Sequence, residues 1–315
     1  MSIRPRSSRL WHRHSKNRPI HWVLTQLAKS ATFVVIIALL SACGNNTVSV
    51  RVLYSRLDNT IADNFLAYAT FSDEQKAQIE RSARAFQIWH RKTQLPRYSD
   101  YMDRLADRLD QDTVLTEPEI SRVFDTLEAF SDDSFAKSPM ADSSDFLISL
   151  SDDQVKEINQ HFARRNANTL ERIRTAELED SDRAARTAKF LRRADIELST
   201  AQIDMLKEGF EAYSGRRENR VTAWQYWQAE FIALLRQRNR EEFALWVENH
   251  LSEYRSQMEI RFPEDSRRNR HTTIQTALRI VNSMTTAQKQ KIAANLRKTS
   301  SIFRKMATSK QTGVI

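Results

Sequence analysis

Cys43 is the only cysteine among the 315 residues, and it closes the stretch Leu39-Leu40-Ser41-Ala42-Cys43. A lone thiol behind small residues and a short apolar run, Ala31 to Leu40, has the spacing of a bacterial lipobox. The chemistry is a thioether: the sulfur takes a diacylglyceryl group, the chain is cut before Cys43, and the new amino group is acylated. An apolar run of about ten residues is too short to span a membrane and suits the core of a signal peptide. The expectation is a signal peptide over residues 1–42 and a lipidated tether over 43–50. With Gly44 rather than Asp after the cysteine, the anchor is expected in the outer membrane, with the fold on its periplasmic face. Two acyl chains give stable anchoring where one is marginal.

Other side chains offer less. After Cys43 the histidines are His90, His161, His250 and His271, and none has a His or Cys partner at metal-ligand spacing, so no metal or other cofactor is expected. His90, between Trp89 and Arg91, reads as a helix-interface residue making one hydrogen bond rather than as a base. The pairs Asp132-Asp133 and Asp152-Asp153 read as acidic helix starts, where the helix dipole favours negative charge. Only four glycines occur, Gly44, Gly209, Gly215 and Gly313. Phosphate-cradling loops and nucleophile elbows need glycines at fixed spacing, and none can be built. No catalytic residues are assigned, and the expectation is a protein that is not an enzyme. The candidate partner surface is Trp224 and Trp227, from a tryptophan stripe that continues to Trp246, with Arg216, Arg217 and Arg220; Arg267, Arg268 and Arg270 form a second basic group further along the chain. Aromatics beside arginines are typical binding hot spots if exposed, and core if not.

The formal charge of +9 suggests a nucleic-acid binder until it is divided at Cys43. The leader holds Arg4, Arg6, Arg9, Arg13, Lys16, Arg18 and Lys29 and no acid. Taking those seven from 49 basic residues leaves 42 against 40 acidic ones, a net +2. The charge argument for nucleic acid is gone.

These residues must be positioned by helices. Apolar residues recur at helical spacing along the chain, for instance Tyr54, Leu57, Ile61, Phe65 and Tyr68. An apolar residue, then Ser or Thr, then Gln or Glu three positions later recurs five times: Ser72/Gln75, Thr116/Glu119, Ser151/Gln154, Ser199/Gln202 and Thr285/Gln288. Each is a capping box opening a helix. Pro96 is expected to interrupt the helix that opens at Ser72. Residues 131–145, rich in Ser and Asp with Pro139, read as a hinge. The fold class expected is all-α, an elongated bundle of antiparallel helical hairpins over residues 51–310.

Trp89-His90-Arg91, Leu95-Pro96-Arg97-Tyr98 and Leu53-Tyr54-Ser55-Arg56-Leu57-Asp58, with the Ser-x-x-Gln helix starts, resemble a family of uncharacterised Gram-negative helical lipoproteins, domain of unknown function six-two-seven-nine. That resemblance implies an all-α envelope lipoprotein and supplies no activity. Leu198-Ser199-Thr200-Ala201-Gln202 and Met284-Thr285-Thr286-Ala287-Gln288 are more weakly similar to the helix starts of Spy/CpxP-type periplasmic chaperones. The leading expectation is a non-catalytic scaffold or adaptor that binds another envelope protein, held to the membrane by its lipid and needing neither nucleic acid nor metal. A holdase-type chaperone stands second and a cell-wall or lipid-modifying enzyme third.

Overall fold

The computed structural model describes residues 51, 54–136, 144–178, 183–213, 215, 217–250 and 254–309. Its helices are α1 (Leu57–Leu66), α2 (Asp73–Asp110), α3 (Glu117–Ala136), α4 (Ser144–Ile148), α5 (Asp152–Leu178) and α6 (Arg183–Arg192). They continue as α7 (Thr200–Glu211), α8 (Arg217–Gln237), α9 (Arg240–His250), α10 (Tyr254–Arg261), α11 (Pro263–Asn282) and α12 (Thr286–Thr308). Among the described residues there is no strand, and the fold is all-α. Cys43 with its leader, Arg216 and residues 137–143 lie outside the described residues.

The 38 residues of α2 form one helix about 57 Å long at 1.5 Å per residue. Pro96 lies inside it and does not interrupt it, contrary to the sequence expectation. An internal proline costs about 3 kcal/mol in an unsupported helix. Here Gln94, Leu95, Tyr98 and Ser99 on either side are buried, and that packing holds the helix through the proline. The N-terminal half of α2 (Ile79, Ala83, Phe86) belongs to one core with α1, α4, α5, α8 and Phe243. Its C-terminal half (Leu95, Tyr98, Met102, Ala106) belongs to a second core with α12 and Phe130. A third, smaller cluster joins Leu115 and Ile120 to Ile274 of α11.

Neighbouring helices run antiparallel. Along α2 and α12, Asp112 meets Lys289, Asp107 and Asp110 meet Arg297, and Asp100 and Asp103 meet Arg304. At the centre of that seam the Ser99 and Ser300 hydroxyls each donate to the other residue's carbonyl at 3.2 Å. Between α5 and α8 the buried amides of Asn166 and Gln228 bond reciprocally, at 2.6 and 3.4 Å. Gly209 lets α7 and α11 approach closely, since a Cβ there would run into the Thr276 side chain. The turn before α8 uses Gly215 at φ +79°, the left-handed region that glycine enters without strain. Residues 131–136, read from sequence as part of a hinge, are the last turns of α3.

Four of the five helix starts form the full reciprocal box, with the hydroxyl accepting from the third amide and the Gln side chain accepting from the cap amide. The boxes also meet in pairs. The Gln154 amide donates to Gln75 Oε1 at 2.7 Å and to the Thr70 carbonyl at 2.9 Å, and Gln75 donates back to Gln154 at 3.3 Å. Gln202 and Gln288 repeat this at 3.1 and 2.9 Å, with Gln202 donating to the Ser283 carbonyl and Gln288 to that of Glu197. Each oxygen serves its own helix cap while each NH2 reaches across to the partner helix. Glutamate has no N–H to give. At the fifth start the Thr116 hydroxyl donates to Glu119, whose carboxylate pairs with Arg108 instead. The two Gln pairs therefore tie four helix starts together. Gln154→Ala is expected to lower unfolding free energy by about 2 kcal/mol, more than a lost cap alone, because it also strips the cross-helix bonds. A double-mutant cycle with Gln75→Ala, read by urea unfolding, should show coupling of about 1 kcal/mol; strict additivity would mean the amide pair contributes nothing.

Candidate functional site

The tryptophan stripe lies mostly inside. Trp227 is 1% exposed and belongs to the first core, so it cannot be the partner surface that its sequence context allowed. Trp224 is partly buried and stacks on Trp227 with ring centroids 5.2 Å apart; Trp227 in turn stacks on Phe231 at 5.1 Å. At 3.6 residues per turn, positions 224, 227 and 231 share one face of α8, and positions 226 and 230 are turned away from it. Tyr226 is accordingly 52% exposed. The Arg261 guanidinium lies 3.8 Å over its ring and pairs with Glu230 at 3.4 Å, and the adjoining Ile260 is 62% exposed. This cluster of Tyr226, Arg261 and Ile260 was missed in the sequence; its one signal was an aromatic out of phase with the apolar stripe.

The arginines separate. Arg217 is the first residue of α8, and Arg220 is exposed on the rim of a 270 Å³ cleft that also borders Tyr213 and Arg270. Arg270 pairs with Glu128 and with Asp125 of α3. Arg183, from α6, covers the Phe210 ring at 4.3 Å. Among the described side chains, Arg220 and Arg270 border one cleft, while Arg183 lies over Phe210.

His90 is buried and makes two hydrogen bonds rather than the one expected. Its Nδ1 is 3.0 Å from the Tyr54 hydroxyl and its Nε2 is 3.4 Å from that of Tyr98, which also bonds Ser134 Oγ at 2.6 Å. Neutral imidazole has one donor and one acceptor nitrogen, which suits two hydroxyls; the protonated ring has two donors. Burial with no carboxylate beside it pushes the His90 pKa down to about 4, and burial, with Asp133 nearby, pushes that of Tyr98 up to about 12. The group joins the chain before α1 to α2 and α3. His90 and Tyr54 are buried, and the Tyr98 ring also lines an apolar groove.

An apolar groove of about 510 Å³ lies between α3 and the α2–α12 seam, with Val281 of α11 also in its lining. Tyr101, Leu105, Leu109, Val123, Leu127 and Ile292 are only partly covered along it. At one end the rings of Tyr98 and Tyr101 pack on Phe130 at 4.9 and 5.5 Å, beside the Arg97–Asp133 pair at 2.6 Å. At the other end Arg108 pairs with Glu119 at 2.7 Å, which holds the Glu119 carboxyl down to about 2. The Asn282 side chain clamps both the N–H and the carbonyl of Leu115, each at 2.8 Å, and so fixes the loop entering α3.

Among the described residues no three His, Cys, Asp or Glu side chains converge as metal ligands, and no helix is long and apolar enough to cross a membrane. Residues 67–253, more than half the chain, match the model of a family of unknown function, DUF6279. No curated protein matches, the Spy/CpxP type included, and no solved structure does.

The His90 network makes stability depend on pH in a defined direction. The folded-state pKa is depressed from 6.5 to about 4, so the unfolded chain binds the proton first. Stability contributed by neutral His90 is complete above pH 6.5 and is lost as pH falls toward 4, by about 3 kcal/mol over that window. Urea unfolding of wild type and His90→Gln between pH 7 and 4 should show that slope in the first and a shallower one in the second.

Proposed function

We propose that this chain, which belongs to the DUF6279 family, is a non-catalytic helical scaffold of the bacterial envelope that docks another envelope protein on its α8–α10 face. The supporting observation is the exposed cluster of Tyr226, Arg261 and Ile260. An aromatic ring held by a stacked guanidinium is pre-ordered, so little side-chain entropy is lost on binding, and Tyr and Arg dominate interface hot spots. Tyr226 lies on the outer side of α8, whose inner side, Trp227 and Phe231, anchors the first core, so a partner would press on a rigid element. In this reading acylated Cys43 tethers the fold to the periplasmic face of the outer membrane. The eleven residue steps from Cys43 to Tyr54 span about 40 Å at most, which keeps the helices close to the lipid surface.

A photo-reactive residue at Ile260, activated in intact cells and read by mass spectrometry, tests the proposal. One stoichiometric protein adduct is expected, reduced about tenfold by Tyr226→Ala or Arg261→Ala, the effect of losing roughly 1.4 kcal/mol at a hot spot. Cys43→Ala should weaken the adduct by releasing the tether. A broad set of unrelated, partly unfolded adducts would replace the scaffold with a holdase.

A further inference from the structure

We propose that the groove beneath α3 is a binding site for a single acyl chain that ends in an anionic head group, with the head group held at Arg122. The site is separate from the α8–α10 face and does not depend on it.

The shape decides the class of ligand. α3 is pinned to α2 by Arg97–Asp133 at 2.6 Å near its end and by Arg108–Glu119 at 2.7 Å near its start, and to α11 by Arg270 on Glu128 at 3.0 Å. Between the two pins to α2, fourteen residues of α3 extend about 21 Å. An incoming peptide helix, about 10–12 Å across, would have to lift α3 off these pins. A single hydrocarbon chain would not, and the length one chain occupies in its leaflet is about 15 Å, half the hydrocarbon thickness of a bilayer. The volume, about 510 Å³, falls among small-molecule sites, roughly 300–1,000 Å³.

The chemistry agrees. The walls present Met102, Leu105, Val123, Leu127, Ile292 and Leu296. Arg108 and Glu119 neutralise one another at one end, so no uncompensated charge faces the interior there. Arg122 is exposed at the opening and pairs with no acidic group among the described residues, although most arginines around it are paired. A guanidinium fork suits carboxylate and phosphate alike. A fatty acid and a lysophospholipid share this chemistry.

The test uses the full acylated chain in nanodiscs with a diazirine-bearing palmitate, the adduct being mapped by mass spectrometry. Adducts are expected on Leu105, Val123 and Leu127, and to fall about tenfold in Leu127→Trp, which fills the groove. Unlabelled palmitate or lysophosphatidylglycerol should displace the probe; whichever competes at lower concentration identifies the source of the chain. Arg122→Gln should weaken those anionic competitors about tenfold and leave neutral monopalmitoylglycerol unchanged. Should Leu127→Trp not fold, Val123→Phe gives a second filled groove, and palmitate should raise the melting temperature of wild type but not of that variant. Adducts spread over the surface and insensitive to filling would overturn the site. Equal competition by the neutral glyceride, with no effect of Arg122→Gln, would overturn the anionic head group.

Discussion

The antiparallel seam between α2 and α12 is the constraint on which the rest is arranged. Its centre is built from small buried residues, Ser99 and Ala106 against Ala293, Thr299 and Ser300, which let the two backbones approach closely. The serine hydroxyls satisfy carbonyls across the contact, so close approach leaves no orphaned polar group. On the rim Arg297 and Arg304 each bridge two aspartates one turn apart on α2. Exposed ion pairs contribute little stability individually. Their spacing, seven residues on both helices, instead fixes the register. That register brings Asp112 to Lys289 and Thr286, placing the start of α12 where Gln288 can meet Gln202.

Because the seam occupies α2 along one side, α3 cannot pack as tightly on it. α3 is held by arginine–carboxylate pairs, by the rings of Tyr98 and Tyr101 on Phe130 and by the Tyr98–Ser134 hydrogen bond, and apolar side chains between those points face a gap. The groove is therefore a consequence of one tight helix pair and one pinned helix sharing a 38-residue spine. In a chain with no cysteine beyond Cys43, packing and side-chain hydrogen bonds must do all the stapling.

Much of this was legible in the sequence, for a physical reason. Capping boxes are local: cap hydroxyl and Gln lie three residues apart, so all five helix starts could be read directly, and the antiparallel all-α architecture followed from helices with short connections. Which boxes pair was not legible, because Gln75 meets Gln154 across 79 residues and Gln202 meets Gln288 across 86. The amide itself carried a hint, since only Gln can both cap and donate. Pro96 misled because local propensity gave way to packing on both sides. The Ser-rich end of α3 misled because composition suggested a loop, whereas Ser134 turns inward to bond Tyr98 and the Phe130 carbonyl. Periodicity correctly put Trp224, Trp227 and Phe231 on one face but could not say which face of α8 met the core. The groove left no sequence signal at all, since Leu105 and Leu127 look the same whether a neighbour fills the space between them or not.

The same arrangement sets where the molecule can open. Local opening follows from few buried apolar contacts and many exposed polar ones, and α3 fits that description far better than the α2 spine it lies against. Among its described side chains Ile120, Phe130 and Ser134 are buried, against eleven residues of α2. Its pins are ionic and partly exposed, so added salt screens them, as it screens the rim pairs of the α2–α12 seam, whose buried centre of small residues does not depend on charge. A roof that loosens without unfolding either large core eases the entry of a single chain, which does not need the pins broken, and here the spine pays none of the cost of opening.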